Sequence, residues 1–152
     1  MTVSENSFIT GSQDRTFRGW SVHEEGFETD FNMLSEDIIK CTSINETKTL
    51  IALGLRNGNV EVYKSDEDES WKFHCRIQCH DSEVLCLSWN GTVLATGGRD
   101  RFVHLIQVHP DSTHSAIEHS PLQMHTSNVN AVHWMKGIQI NIQYYIVYII
   151  YI

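Results

Sequence analysis

Apolar and polar residues alternate over short runs along most of the chain, and no helical period persists over ten residues. Asn59-Val60-Glu61-Val62-Tyr63 alternates. Trp71 to Ile77 alternates more cleanly, which predicts Trp71, Phe73, Cys75 and Ile77 on one face of a strand. Val84 to Trp89 and Val93 to Gly97 are more continuously apolar, the pattern of inner strands buried on both faces. Asn57-Gly58 and Asn90-Gly91 are hairpin signals, because both residue types tolerate positive φ. Ser65-Asp66-Glu67-Asp68-Glu69-Ser70 reads as a solvated loop between two strands.

The turns recur. Gly11-Ser12-Gln13-Asp14-Arg15-Thr16 resembles Gly54-Leu55-Arg56-Asn57-Gly58-Asn59, and both resemble Gly97-Gly98-Arg99-Asp100-Arg101-Phe102. Asp14, Asn57 and Asp100 lie 43 residues apart, as do Trp20, Tyr63 and Ile106. A second set of residues repeats independently: the run from His80 to Trp89 returns from His125 to Trp134, at an offset of 45. Four short strands in about 43 residues is the arithmetic of a β-propeller blade.

At these residues the chain resembles the WD-repeat family. Phe8 to Trp20 resembles the second and third strands of a WD repeat, and Leu94 to Arg101 resembles the same element again. The family's Gly-His pair stands here as Cys79-His80 and Met124-His125, and its closing Trp-Asp as Trp20-Ser21, Tyr63-Lys64 and Ile106-Gln107. The resemblance covers about residues 7 to 136. It implies an all-β fold, a partial WD-type propeller of about three blades incomplete at both ends. Residues 1–37 would form a partial blade with its second to fourth strands. Residues 38–80 and 81–125 would form whole blades, 126–137 the first strand of a further blade, and 138–152 an atypical tail rich in Ile and Tyr. His80 to Leu87, Arg99 to Leu105 and Asn32 to Lys40 are similar to the mitogen-activated-protein-kinase-binding WD-repeat scaffolds, a group that includes the microcephaly-associated spindle-pole protein. That similarity implies a non-enzymatic scaffold for protein–protein interaction in stress-kinase signalling or at the spindle pole. It also implies a cytoplasmic, centrosomal or spindle-pole location.

The resemblance further implies a network of loop His, strand Ser or Thr, turn Asp and strand Trp. The best set here is His80, Thr96 and Asp100, with Ile106 in the Trp position. The first repeat offers Thr10, Asp14 and Trp20 without an upstream His, and the middle one only Ser35, Leu53, Asn57 and Tyr63. A buried turn carboxylate needs donors, and an imidazole and a hydroxyl supply them. The same three residue types could make a hydrolase triad, but nothing in the sequence supplies an oxyanion site or a pocket. The histidines at 104, 109, 114 and 119 fall five apart, which matches neither strand nor helix period. Cys75, Cys79 and His80 lack a second Cys/His pair at zinc spacing. Neither a metal nor a cofactor is expected.

Charge narrows the partners. Acids outnumber bases 19 to 11, a net charge of −8, which argues against a nucleic-acid partner. The longest apolar run, Tyr144 to Ile152, is too short to span a bilayer as a helix. Met1 to Ser7 has no secretory pattern, and the 4 cysteines form no CxxC pair, as in a reduced compartment. Four of the 11 bases, Arg15, Arg56, Arg99 and Arg101, fall in the recurring turn. Together with Asp81, Glu83 and Asn128 of the His-bearing loops they form a candidate protein-binding face. Ser120-Pro121 is a minimal proline-directed phosphorylation site, more simply an ordinary loop. Asp14 has no His before it and His125 no Asp after it, so the sequence reads as a piece of a larger propeller, prone to self-association. The uncharged stretch Ile138 to Ile152 continues no repeat and reads as foreign to it, although Ile138 to Gln143 does alternate.

Overall fold

The structure is a computed structural model, and it describes residues 7–68, 70–112, 116–117, 122 and 125–135. His114, His119, the Ser120-Pro121 pair and the tail at 138–152 lie outside the described residues. Among the described residues, eleven strands form three antiparallel sheets. Sheet one holds β1 (Ser7–Gly11), β2 (Thr16–His23) and β3 (Gly26–Leu34). Sheet two holds β4 (Ile39–Ile44), β5 (Leu50–Leu55), β6 (Asn59–Ser65) and β7 (Trp71–Gln78). Sheet three holds β8 (Val84–Asn90), β9 (Val93–Gly98), β10 (Val103–Gln107) and the short β11 (Ala116–Ile117). Each sheet is a meander in sequence order, which is what tight turns between short strands produce. No helix occurs among the described residues.

The sheets pack face on face, and the patterning decides which side chains meet. Phe17, Ile9, Phe31 and Met33 of sheet one close on Ile51, Leu53, Leu55 and Tyr63 of sheet two. Ala52, Val60, Val62, Cys75 and Ile77 on the far side of sheet two meet Val84, Trp89, Leu94 and Ile106 of sheet three. Cys86, Ala95, Val103 and Leu105 then pack with Val129, Val132 and Trp134. Each fully buried Val, Leu, Ile or Phe among these contributes about 1.5–3 kcal/mol.

The second repeat offset, 45, has a physical cause in this stacking. Ile39, Val84 and Val129 press into Gly11, Gly54 and Gly97, where a Cβ would lie within 2.5–2.8 Å of their methyl groups. The Cys41 thiol donates to the Val84 carbonyl at 3.6 Å, and the Cys86 thiol to the Val129 carbonyl at 3.4 Å. The indole of Trp89 donates to the Ser43 carbonyl, and that of Trp134 to the Ser88 carbonyl. The same contact is made twice, one sheet apart.

One expectation is corrected. Trp71, Phe73, Cys75 and Ile77 do not share a face. The β6–β7 register shifts between Val62 and Tyr63, so Val62 faces Cys75 while Tyr63 faces Phe73. The bulge leaves Cys75 and Ile77 in the core with sheet three. It turns Phe73 onto Tyr63 and Trp71 onto Phe31, toward sheet one.

Candidate functional site

The meander brings the recurring turns and the loops between sheets to the same ends of the strands. The loop after β7 therefore lies against the β9–β10 turn, and there His80, Thr96 and Asp100 meet. Asp100 accepts from His80 Nδ1 at 2.9 Å, and Thr96 Oγ1 lies 2.8 Å from Nε2. A carboxylate only accepts, so Nδ1 carries the proton and the Thr96 hydroxyl donates to Nε2. Asp100 also accepts the backbone N–H groups of Asp81 at 3.1 Å and Phe102 at 3.1 Å. Burial lowers the pKa of His80 despite the carboxylate beside it, so the ring stays neutral. Burial pushes Asp100 up, but the donors from His80, Phe102 and Asp81 outweigh it and hold the carboxyl below its ordinary value.

Two neighbours close this set that the sequence did not mark. A Cβ on Gly98 would lie 2.4 Å from His80 Nδ1 and 2.7 Å from an Asp100 oxygen, so only glycine fits beside the pair. His104 sets its ring edge-on to His80, with centroids 4.6 Å apart. Burial and the neighbouring His80 push His104 down to about 4. Ligand atoms of His80, Asp100 and His104 lie within 4.8 Å of one another, yet both His80 nitrogens are already engaged by Asp100 and Thr96. The order Asp–His–Thr imitates a hydrolytic triad, but Thr96 has 0% exposure, and a buried hydroxyl meets no substrate. A cleft of about 610 Å³ opens between sheets one and two at the opposite ends of the strands and includes none of these residues.

Sheet one divides the corresponding set. The Trp20 indole donates to Thr10 Oγ1 at 2.9 Å. Asp14 instead takes the backbone and side chain of Thr16, at 2.8 and 2.6 Å, and fastens its own exposed turn. Its pKa is lowered by those same Thr16 bonds. Sheet two has a different centre altogether. Glu61 is 1% exposed and accepts from Ser35 at 2.7 Å, Tyr63 at 3.1 Å and Arg76 at 2.9 Å. Arg76 also holds Glu36 at 2.9 Å. Burial, then the adjacent Glu61 carboxylate, raises the Tyr63 phenol. Arg18, Glu61 and His104 occupy one register 43 residues apart. Their equal spacing was the signal available.

The turn arginines are not equivalent. Arg99 pairs with Glu83 at 2.6 Å, and Arg56 with Asp37 at 3.5 Å. Lys40 stands 4.0 Å from the same Glu83, whose carboxyl Arg99 holds low. Arg15 and Arg101 are exposed, have no ion pair among the described residues, and carry φ of 70° and 76°. Gly58 holds the matching position of sheet two with φ of 90°. Asp81 lends its N–H to Asp100 and keeps its side chain exposed; Asn128 is exposed one residue before the buried Val129.

The comparisons agree with this geometry. WD repeat-containing protein 70 of Xenopus laevis is 30% identical over 63% of this chain and 17% of its own length. Mitogen-activated protein kinase-binding protein 1 of Homo sapiens is 26% identical over 84% of this chain and 11% of its own. The chain thus spans under a fifth of these two relatives. The crystal structure of Saccharomyces cerevisiae Sqt1 superposes with a TM-score of 0.73 at 15% identity, over 86% of this chain and 36% of that one. The profile of the anaphase-promoting complex subunit 4 WD40 domain matches residues 42–137. With repeated four-stranded sheets and a His–Thr–Asp set joining loop to turn, the chain belongs to that WD40 domain family.

Proposed function

We propose that this chain is part of a non-enzymatic scaffold that binds a mitogen-activated protein kinase through the face carrying the recurring turns. Arg15 and Arg101 carry the reading. An L-residue at positive φ is strained by roughly 1–2 kcal/mol, and here two long cations occupy such positions, exposed and without an ion pair among the described residues. Strain kept at an exposed position is a reason to look for binding there. Arg56 and Arg99 flank them in exposed ion pairs that a partner carboxylate or phosphate can exchange at little cost, since such pairs are worth about 0–1 kcal/mol. Asp81, Glu83 and Asn128 border the face and would set register. The name of the human relative supports the kinase as partner, and a cytoplasmic, centrosomal or spindle-pole setting accords with the sequence resemblance.

The test is direct binding of a purified stress-activated kinase by interferometry across a salt series. Arg15→Glu with Arg101→Glu should weaken binding at least tenfold and flatten its salt dependence, with the melting temperature nearly unchanged. Binding equal to wild type would show that this face is not the docking surface.

A further inference from the structure

The opposite ends of the strands carry a second surface of contrary charge. The cleft between sheets one and two has apolar walls from Ile9, Phe31 and Trp71, and a rim that includes Glu28, Asp30 and Asp68. The turns beside it add Glu24, Glu25, Asp66 and Glu67, all exposed. Exposed acids thus crowd this end, while the arginine turns lie at the other. Two of the rim acids form no direct ion pair among the described residues, although Lys48 also lines the cleft and the charge of Lys72 acts on Asp68. Among the described residues Asp30 accepts the Ser21 hydroxyl at 2.8 Å, and Asp68 accepts Ser70, through its backbone at 3.2 Å and its hydroxyl at 2.7 Å. No Lys or Arg pairs with either among the described residues, whereas the neighbouring Asp66 is held by Lys72.

We propose that this cleft binds a short basic and apolar segment of a protein partner, one that places a Lys or Arg beside an aliphatic or aromatic side chain. The apolar part fills the space against Ile9, Phe31 and Trp71. The cation meets Asp30 and Asp68 and can lie over the exposed edge of the Trp71–Phe31 pair, whose ring centroids are 5.9 Å apart. Low-dielectric walls beneath unpaired carboxylates strengthen their field and draw a cation toward the apolar floor. A cleft of about 610 Å³ accommodates two or three side chains rather than a folded domain. This surface is separate from the kinase-binding face, and either can fail without the other.

The experiment uses the full chain and an eight-residue peptide of alternating Lys and Leu, read by tryptophan fluorescence, since Trp20 and Trp71 line the cleft. Binding should perturb emission, weaken with salt, and fall at least tenfold in the Asp30→Asn, Asp68→Asn double variant. Asn keeps an acceptor for Ser21 and Ser70, so the melting curve should not move. Asp111→Asn, a single charge change at a fully exposed site outside the cleft lining, should leave affinity within twofold, whereas Asp30→Asn alone should weaken it by more. A Glu/Leu peptide should not bind, and a Lys/Ser peptide should bind far more weakly. The proposal is overturned if the Lys/Leu peptide does not bind, binds the double variant equally well, or is matched by the Lys/Ser peptide. Self-association of the chain that excludes the peptide would overturn it too.

Discussion

From its loop His80 reaches the Asp100 turn with one ring nitrogen and Thr96 of β9 with the other, and the span explains its burial. Removing the ring leaves the Asp100 carboxylate and the Thr96 hydroxyl without their partner. His80→Ala should therefore cost about 1–3 kcal/mol in urea unfolding. His109→Ala, at an exposed position, should cost less than about 0.5 kcal/mol. Equal losses would remove the staple role. His104 makes a second prediction. Its folded pKa of about 4 lies below the ordinary 6.5, so the unfolded chain binds more protons between those values. Stability should then be level above about pH 6.5 and fall as pH drops toward 4, by at most about 3 kcal/mol from this residue. His80, also lowered, adds in the same direction. His104→Gln cannot titrate there, and its melting temperature should decline less steeply between pH 7 and 4.5. Parallel curves for the two proteins would contradict the assignment.

At the scale of the element, the recurring turn sets what each position tolerates. Residues 15, 58 and 101 all adopt positive φ, but only Gly58 is also enclosed. A Cβ there would lie 2.1 Å from the His80 carbonyl oxygen. Gly58→Ala should destabilise by more than about 1 kcal/mol, while Arg101→Gly relieves strain and loses only about 0.4–1 kcal/mol through the freer unfolded chain. Thermal melts of the two variants should thus move apart: a clear drop for the first, no change or a slight rise for the second. The turns were legible in sequence because backbone conformation restricts residue type, and Asp14, Asn57 and Asp100 keep their spacing. The two faces of β7 were not, because a bulge between Val62 and Tyr63 is a backbone event without a residue signature here. Nor was Glu61 legible as a buried centre. A charge in an alternating strand reads as outward-facing, and of its partners only Tyr63 is on the same strand, Ser35 coming from the loop after β3 and Arg76 from β7. The acids that neutralise Arg56 and Arg99 sit 19 and 16 residues earlier, in loops that only the sheet register brings near.

For the whole molecule, stacking places the His–Thr–Asp set between sheets and leaves the strand ends to meet partners. The uncharged segment from Ile138 to Ile152 is rich in Ile and Tyr, a composition prone to strand pairing between chains. Sedimentation velocity should show concentration-dependent self-association that decreases when residues 138–152 are deleted. An unchanged distribution would place self-association elsewhere.

The division of labour between staple and face is tested most directly by measuring kinase binding and the urea midpoint on the same three proteins. Wild type is compared with His80→Ala and with the Arg15→Glu, Arg101→Glu double variant. The predicted result is a double dissociation. His80→Ala lowers the midpoint and, under conditions where it is still folded, binds like wild type. The arginine variant keeps the midpoint and loses binding. Loss of binding in folded His80→Ala with normal binding in the arginine variant would contradict it, and would place recognition at the loop that His80 anchors.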